Sequence, residues 1–216
     1  MKQILVIGLG RFGRHMCQKL GDLGHQVMAV DKDENRVEAC LSYVTNALVG
    51  DATRQDFVQS LGVDNYDLCF VCIGDSFQDS LEATALLKDL GAKKVIARAS
   101  RDVHERFLLR NGADQVVYPE KQVAEWTAVR YSCDFLSDYF STGDGYAVME
   151  IKPPASWVGK TVAALDLRRH ADCNILAIRQ NGAIKMPVGP QTVISREDVL
   201  LVLGKDTDLD RLVEKG

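Results

Sequence analysis

The chain has 216 residues, 46% of them hydrophobic and 26% charged, with a net charge of −4. That length accommodates one well-buried α/β domain and a smaller companion, and the lack of long like-charge runs leaves a nucleic-acid partner no electrostatic footprint. No apolar stretch reaches the ~20 residues of a membrane span, and Met1-Lys2-Gln3-Ile4 enters a strand without the form of a signal peptide, so the expectation is a cytoplasmic protein that meets a membrane only through a partner.

Apolar strands are predicted near 3–7, 26–30, 45–49, 67–73, 94–98 and 115–118, with helices near 11–22, 33–42, 53–61, 77–90 and 101–111. Gly21, Gly24, Gly62, Gly91 and Gly112 mark helix ends. Strands alternating with helices over short crossovers specify an α/β fold with a doubly wound parallel sheet. The first crossover carries Gly8-Leu9-Gly10-Arg11-Phe12-Gly13 directly after strand 3–7, and Asp31 follows the last glycine by 18 positions at the end of the second strand. In this order the G-x-G-x-x-G motif is a strong signal for a nucleotide on a Rossmann-like domain. Gly8 permits the turn, Gly10 lets the backbone approach a phosphate, and Gly13 lets the helix lie close to the sheet. The helix N-terminus offers unpaired N–H groups to phosphates. Asp31 accepts from ribose hydroxyls, and its charge disfavours a 2′-phosphate.

Ligands of such sheets bind outside the carboxyl ends of the strands. That rule adds Lys32, Gly50, Asp51, Ala52, Thr53, Cys72, Ile73, Gly74, Asp75 and Arg98 to the same rim. Arg11 faces the phosphate position, where a guanidinium suits the terminal phosphates of ADP or ATP; the alternative is a solvated first-turn arginine. Asp51 and Thr53 either cap the next helix or approach the adenine. Arg98 either faces the phosphates or pairs with a carboxylate such as Asp75 or Asp79.

Cysteines 17, 40, 69, 72, 133 and 173 read as free thiols. Cys69 and Cys72 form a C-x-x-C inside an apolar strand, where residues three apart point to opposite faces, so packing is favoured over redox or metal use. Val123, Trp126, Val129, Cys133, Leu136 and Phe140 recur at helical spacing. They predict a helix of about twenty residues over 119–140, either packed on its own sheet or crossing to another subunit. Residues 141–145 read as a linker, followed by a small α+β lobe with strands at 146–152, 175–179, 183–186 and 198–203, a short helix over 161–169 and a closing helix over 206–215. Asn181-Gly182 is a hairpin signal. Gly159-Lys160-Thr161 imitates the end of a P-loop, but Pro154 stands where that motif requires glycine. No catalytic constellation is visible, so a nucleotide sensor is expected rather than an enzyme; a small NAD-dependent oxidoreductase is the competing class.

Gly8–Gly13, Val30-Asp31, Gly50-Asp51-Ala52-Thr53 and Tyr118-Pro119-Glu120-Lys121, in this order, resemble the RCK family, regulators of potassium conductance. The likeness covers essentially the whole chain and is strongest to the cytosolic subunits of Ktr-type potassium uptake systems. It implies a Rossmann-like N-terminal domain over 1–118, a crossover and dimerisation helix over 119–141 and a C-terminal lobe over 145–216. It also implies dimers assembled into a ring, an octamer, docked under an integral-membrane potassium-translocating subunit at the inner face of the plasma membrane. ATP would favour the active ring and ADP the inactive one, with Arg11 sensing the terminal phosphate. Glu120 would stand where the family holds Mg2+ or another divalent cation; one carboxylate is a weak ligand set, and the alternative is a charge complementing the helix dipole. Arg168, Asn174, Ile175 and Pro190 resemble the cyclic di-AMP site of such lobes, while His170 and Ala171 depart from more apolar relatives. NAD(H) in place of ATP or ADP, as in TrkA-like regulators, is the alternative ligand.

Overall fold

The computed structural model describes residues 1–132 and 136–214. They form two compact units, Met1–Lys121 and Gln122–Gly216. In the first, β1 (Gln3–Ile7), β2 (Gln26–Asp31), β3 (Asn46–Val49), β4 (Leu68–Val71), β5 (Val95–Arg98) and β6 (Gln115–Val117) make one sheet in the order β3-β2-β1-β4-β5-β6. Every pairing is parallel. The crossovers carry α1 (Arg11–Asp22), α2 (Glu34–Glu38), α3 (Gln55–Ser60), α4 (Phe77–Asp89) and α5 (Asp102–Arg110). The strand order reverses at β1, which opens a crevice at the carboxyl ends of β1, β2 and β4.

Alternation along β1 divides the core. Ile4 and Val6 pack with Cys17 and Leu20 of α1 on one face, whereas Leu5 and Ile7 pack with Ala83 and Leu87 of α4 and Leu108 of α5 on the other. Each fully buried aliphatic side chain contributes about 1.5–3 kcal/mol, so a sheet covered on both faces explains why β1 is apolar without interruption. Cys69 and Cys72 belong to this packing: both are buried, and burial pushes each thiol up to about 12. They are thiols at neutral pH, without the thiolate character that redox or metal chemistry needs.

The long helix predicted over 119–141 is not formed. Helix α6 (Pro119–Tyr131) ends where Ser132 N–H bonds back to Ala128 and Val129, and Leu136–Gly143 is strand β7. The three- and four-residue spacing misled because Leu136 and Phe140 do not share a face: Leu136 is 7% exposed and Phe140 69%. Cys133 and Phe135 lie outside the described residues. The segment read as a linker is the end of β7 and its turn into β8 (Tyr146–Ile151), with Asp144 and Gly145 both at positive φ, 54° and 75°. A two-residue turn of that handedness suits the strand twist and selects Asp-Gly. Asn181-Gly182 does the same between β9 (Asn174–Gln180) and β10 (Ala183–Lys185).

With β11 (Val199–Lys205) these strands form an antiparallel sheet ordered β10-β9-β11-β8-β7. Met149, Ile151, Ile175, Leu200 and Val202 fill its covered face. The predicted helix over 161–169 is two single turns, α7 (Val162–Leu165) and α8 (Leu167–His170), broken by Asp166 at φ 43°. Thr161 caps α7, accepting from Ala164 N–H at 3.2 Å. Helix α9 (Asp206–Glu214) closes the unit.

Asp114, just before β6, accepts from Val95 N–H at 2.6 Å and pairs with Lys88 at 3.0 Å. The Val95 N–H is the main reason its carboxyl lies below the usual range, with partial burial opposing and Lys88 assisting. A depressed folded pKa stabilises above the unfolded value of about 3.9 and loses that contribution as pH falls through the folded one. Asp114→Asn is therefore expected to cost about 1 kcal/mol at pH 7, allowing for the pair's exposure. Urea unfolding of both proteins at neutral pH and again below about pH 3 checks this, since the difference should close at the acid end.

Candidate functional site

The crevice at the switch point is a cavity of about 790 Å³ lined by Gly8, Gly10, Arg11, Phe12, Asp31, Lys32, Asp51, Ala52, Thr53, Ile73, Gly74 and Arg98, together with Ile7, His15, Arg36, Gly50, Cys72, Asp75, Asp79 and Glu120. That volume is typical of small-molecule sites. Of the nucleotide residues expected from the sequence, Gly13 alone is not on the wall. It lies behind it, where an added Cβ would come within 1.9 Å of the Gly8 carbonyl oxygen, so its absence of side chain brings α1 against the turn. Gly8 has φ 91°, a conformation glycine tolerates. A Cβ on Gly10 would meet nothing within 4 Å: it would project into open space at the start of α1. Gly10 caps that helix without a side-chain bond, and no acidic residue occupies the first turn, so its N–H groups are uncompensated by carboxylates.

Asp31 is buried, and both of its oxygens are used. Oδ2 accepts from Leu9 N–H at 2.6 Å and Oδ1 from Asp33 N–H at 2.9 Å. The carboxylate thus holds the glycine loop against β2 while retaining acceptor capacity toward the cavity, since each oxygen has a second lone pair. Lys32 pairs with Asp79 at 3.0 Å. Asp79 lies below the usual carboxylate range, first through Ser76 and then through Lys32. Asp51 accepts both the N–H (2.9 Å) and the hydroxyl (2.8 Å) of Thr53, which lower its carboxyl. It closes a turn and is not the helix cap expected as one alternative: the cap position of α3 is Arg54.

Arg98 does not pair with Asp75 or Asp79. Its Nη2 donates to Glu120 Oε1, and its guanidinium fills the space that a Cβ on Gly74 would take. Its Nε is buried and has no hydrogen-bond partner among the described residues. Phe12 lies beneath it, with the ring centroid 5.8 Å from Cζ. Partial burial alone would raise the Glu120 carboxyl; its backbone N–H bond, Arg98 and the nearby charge of Arg11 outweigh that and lower it. Among the described residues no set of three or more His, Cys, Asp or Glu side chains is placed to hold a metal ion.

His15 and Arg36 were missed from the sequence. His15 stands one helical turn after Arg11, on the same face of α1, and Arg36 one turn after Asp33 on α2; those spacings were the available signals.

In the second unit, Arg168, Asn174, Ile175 and Pro190 line one smaller cavity of about 190 Å³, with Val162, Leu167 and Val188 as its apolar wall. Arg168 Nε and Nη2 both donate to Asn174 Oδ1, at 3.1 and 3.0 Å.

The TrkA-N domain model matches residues 4–119 and the TrkA-C domain model residues 146–215. The chain is 34% identical to Ktr system potassium uptake protein A of Bacillus subtilis (strain 168) over 215 residues, which cover 100% of this chain and 97% of that one. It is 31% identical to the protein of the same name from Vibrio alginolyticus, over 99% of this chain and 96% of the relative. Among solved structures, the GsuK channel bound to NAD superposes with a TM-score of 0.69 at 20% identity, over 98% of this chain and 38% of that one, a likeness of fold. The TrkA-N domain of the Escherichia coli inner membrane protein ybaL gives 0.54 at 22% identity, over 59% and 95%. With a parallel nucleotide-type domain, an antiparallel C-terminal lobe and both domain models matched in order, the chain belongs to the RCK family of TrkA-N/TrkA-C proteins.

Proposed function

We propose that the chain is a regulatory subunit of a potassium uptake system, one that senses ATP against ADP and acts on an integral-membrane potassium-translocating partner. The observation that carries the reading is the cavity at the β1–β2–β4 end, where an uncapped helix N-terminus, Arg11, Arg98 and the ribose-type acceptor Asp31 face one space. Phosphates lie over Gly8–Gly13 in this reading, and Arg11 meets the terminal one. Full-length similarity to Ktr system potassium uptake proteins supports the potassium context.

A ligand moves a two-state assembly only through its differential affinity for the two shapes, so the γ-phosphate must find a contact that the β-phosphate lacks. Arg11 is exposed and can swing to make it. Mg2+ or another divalent cation would bind Glu120 together with phosphate oxygens, taking the carboxylate from Arg98; a single carboxylate needs those extra ligands. Helix α6 leaves Val123 59% and Tyr131 74% exposed, which supports a second copy of the chain covering it in a dimer, and dimers in a ring beneath the membrane partner. The smaller cavity with Arg168, Asn174, Ile175 and Pro190 fits cyclic di-AMP as a second effector.

Calorimetric titration with ATP, ADP and NADH tests the reading. ATP and ADP are expected to bind with NADH much weaker; preferred NADH binding would move the chain to an NAD(H) sensor. Asp31→Ala should abolish binding and also lower the melting temperature of the unliganded protein, because Leu9 and Asp33 N–H groups lose their acceptor. Arg11→Ala should leave ADP affinity within about twofold and weaken ATP by about tenfold, the scale of one charge-assisted phosphate contact; equal losses would remove Arg11 from the discrimination. Arg168→Ala should eliminate cyclic di-AMP binding without changing either adenine nucleotide, read in the same titration format.

A further inference from the structure

We propose that Arg36 reads the base of the bound nucleotide, closing over it from α2. The inference rests on the reading above that the cavity takes an adenine nucleotide. With the phosphates at the glycine loop and the ribose at Asp31, the base lies beyond Asp31 from the start of α1. Arg36 lines the cavity there. Its Nη1 is 3.6 Å from Asp31 Oδ2, its Nε 3.7 Å from Asp33 Oδ2 and its Nη2 3.8 Å from Asp75 Oδ2. Asp31 ends β2 and Asp75 follows β4, so the guanidinium spans the end of β1, which lies between those two strands.

All three separations exceed the 2.7–2.9 Å of a charge-assisted N–H···O bond, which runs at about that length. Among the described residues Arg36 is held by the summed field of three carboxylates and by no single side-chain hydrogen bond, and its side chain is 42% exposed. The contrast with Lys32 is informative. Its ammonium pairs with Asp79, in the first turn of α4, at 3.0 Å. Lys32 thus has one close carboxylate partner, whereas Arg36 stands among three more distant ones. A guanidinium is planar, weakly hydrated and suited to stacking on an aromatic face. Adenine between the β2 and β4 ends supplies that face, and Arg36 keeps its charge balanced by Asp31 and Asp75 as it swings onto the ring. A contact with the base is indifferent to phosphate number, which separates this role from that of Arg11.

Calorimetry of AMP, ADP and ATP against the wild-type protein, Arg36→Ala and Arg36→Lys tests it. Arg36→Ala is expected to weaken all three by a common factor of about ten. Arg36→Lys preserves the charge and the ion pairs but not the plane, and should recover less than threefold of that loss. Adenine-nucleotide affinities within threefold of wild type in Arg36→Ala, or tighter, would overturn the proposal. So would recovery by lysine, which would make the residue an ion-pair strut, and so would a loss that grows with phosphate number. Failure of the wild-type protein to bind any adenine nucleotide would remove the functional reading and this inference together, whereas wild-type binding with no Arg36 effect removes this inference alone.

Discussion

The hydrogen bond from Leu9 N–H to the Asp31 carboxylate, 2.6 Å and buried, is the contact on which the first unit's architecture turns. It joins the glycine loop to the end of β2, beside the backbone bond from Gly8 N–H to Val30 at 2.8 Å. A hydrogen bond to a charged acceptor is worth about 1.5–3 kcal/mol, and leaving the buried carboxylate without it would cost a comparable amount. Gly13 seats closely against Gly8 beside that anchorage, where an added Cβ would come within 1.9 Å of the Gly8 carbonyl oxygen. The Asp31 carboxylate is therefore a structural strut, and each of its oxygens keeps a second lone pair for a further donor.

Around this anchor the charges divide by position. Near the start of α1 stand Arg11 and Arg98, with Glu120 bound to Arg98; Lys32 and Arg36, after β2, pair with Asp79 and Asp75, after β4. The Arg98–Glu120 pair ties the end of β5 to the first turn of α6, the helix that begins in the first unit and ends in the second. Arg98 sits there because Gly74 leaves room for it and Phe12 underlies it. Its buried Nε has no hydrogen-bond partner among the described residues, so the pocket walls described do not satisfy the guanidinium fully.

The parallel sheet was legible almost strand by strand because its central strands β1, β2 and β4 are largely apolar runs, a pattern imposed on strands covered on both faces. The glycine loop and Asp31 were legible because their chemistry demands particular residue types at particular spacings. The second unit was read less well. Leu136 and Phe140 satisfy a helical period by accident, and the small polar residues around Asp144-Gly145 read as a linker although that pair is as strong a hairpin signal as Asn181-Gly182. Partnerships between distant side chains had no sequence signature at all. Arg98 with Glu120, Lys32 with Asp79 and Arg36 with Asp75 each join separate crossovers, and only the strand order brings those crossovers together.

The anchorage of the glycine loop also bears on time. A loop already fixed by Asp31 and β2 has little ordering left to do when a ligand arrives, so encounter need not wait for a slow rearrangement. Association rates then vary little between related ligands, and differences in affinity appear as differences in residence. Under the proposed exchange of one nucleotide for another, the interval over which the site remembers its previous occupant is set by how quickly that occupant leaves.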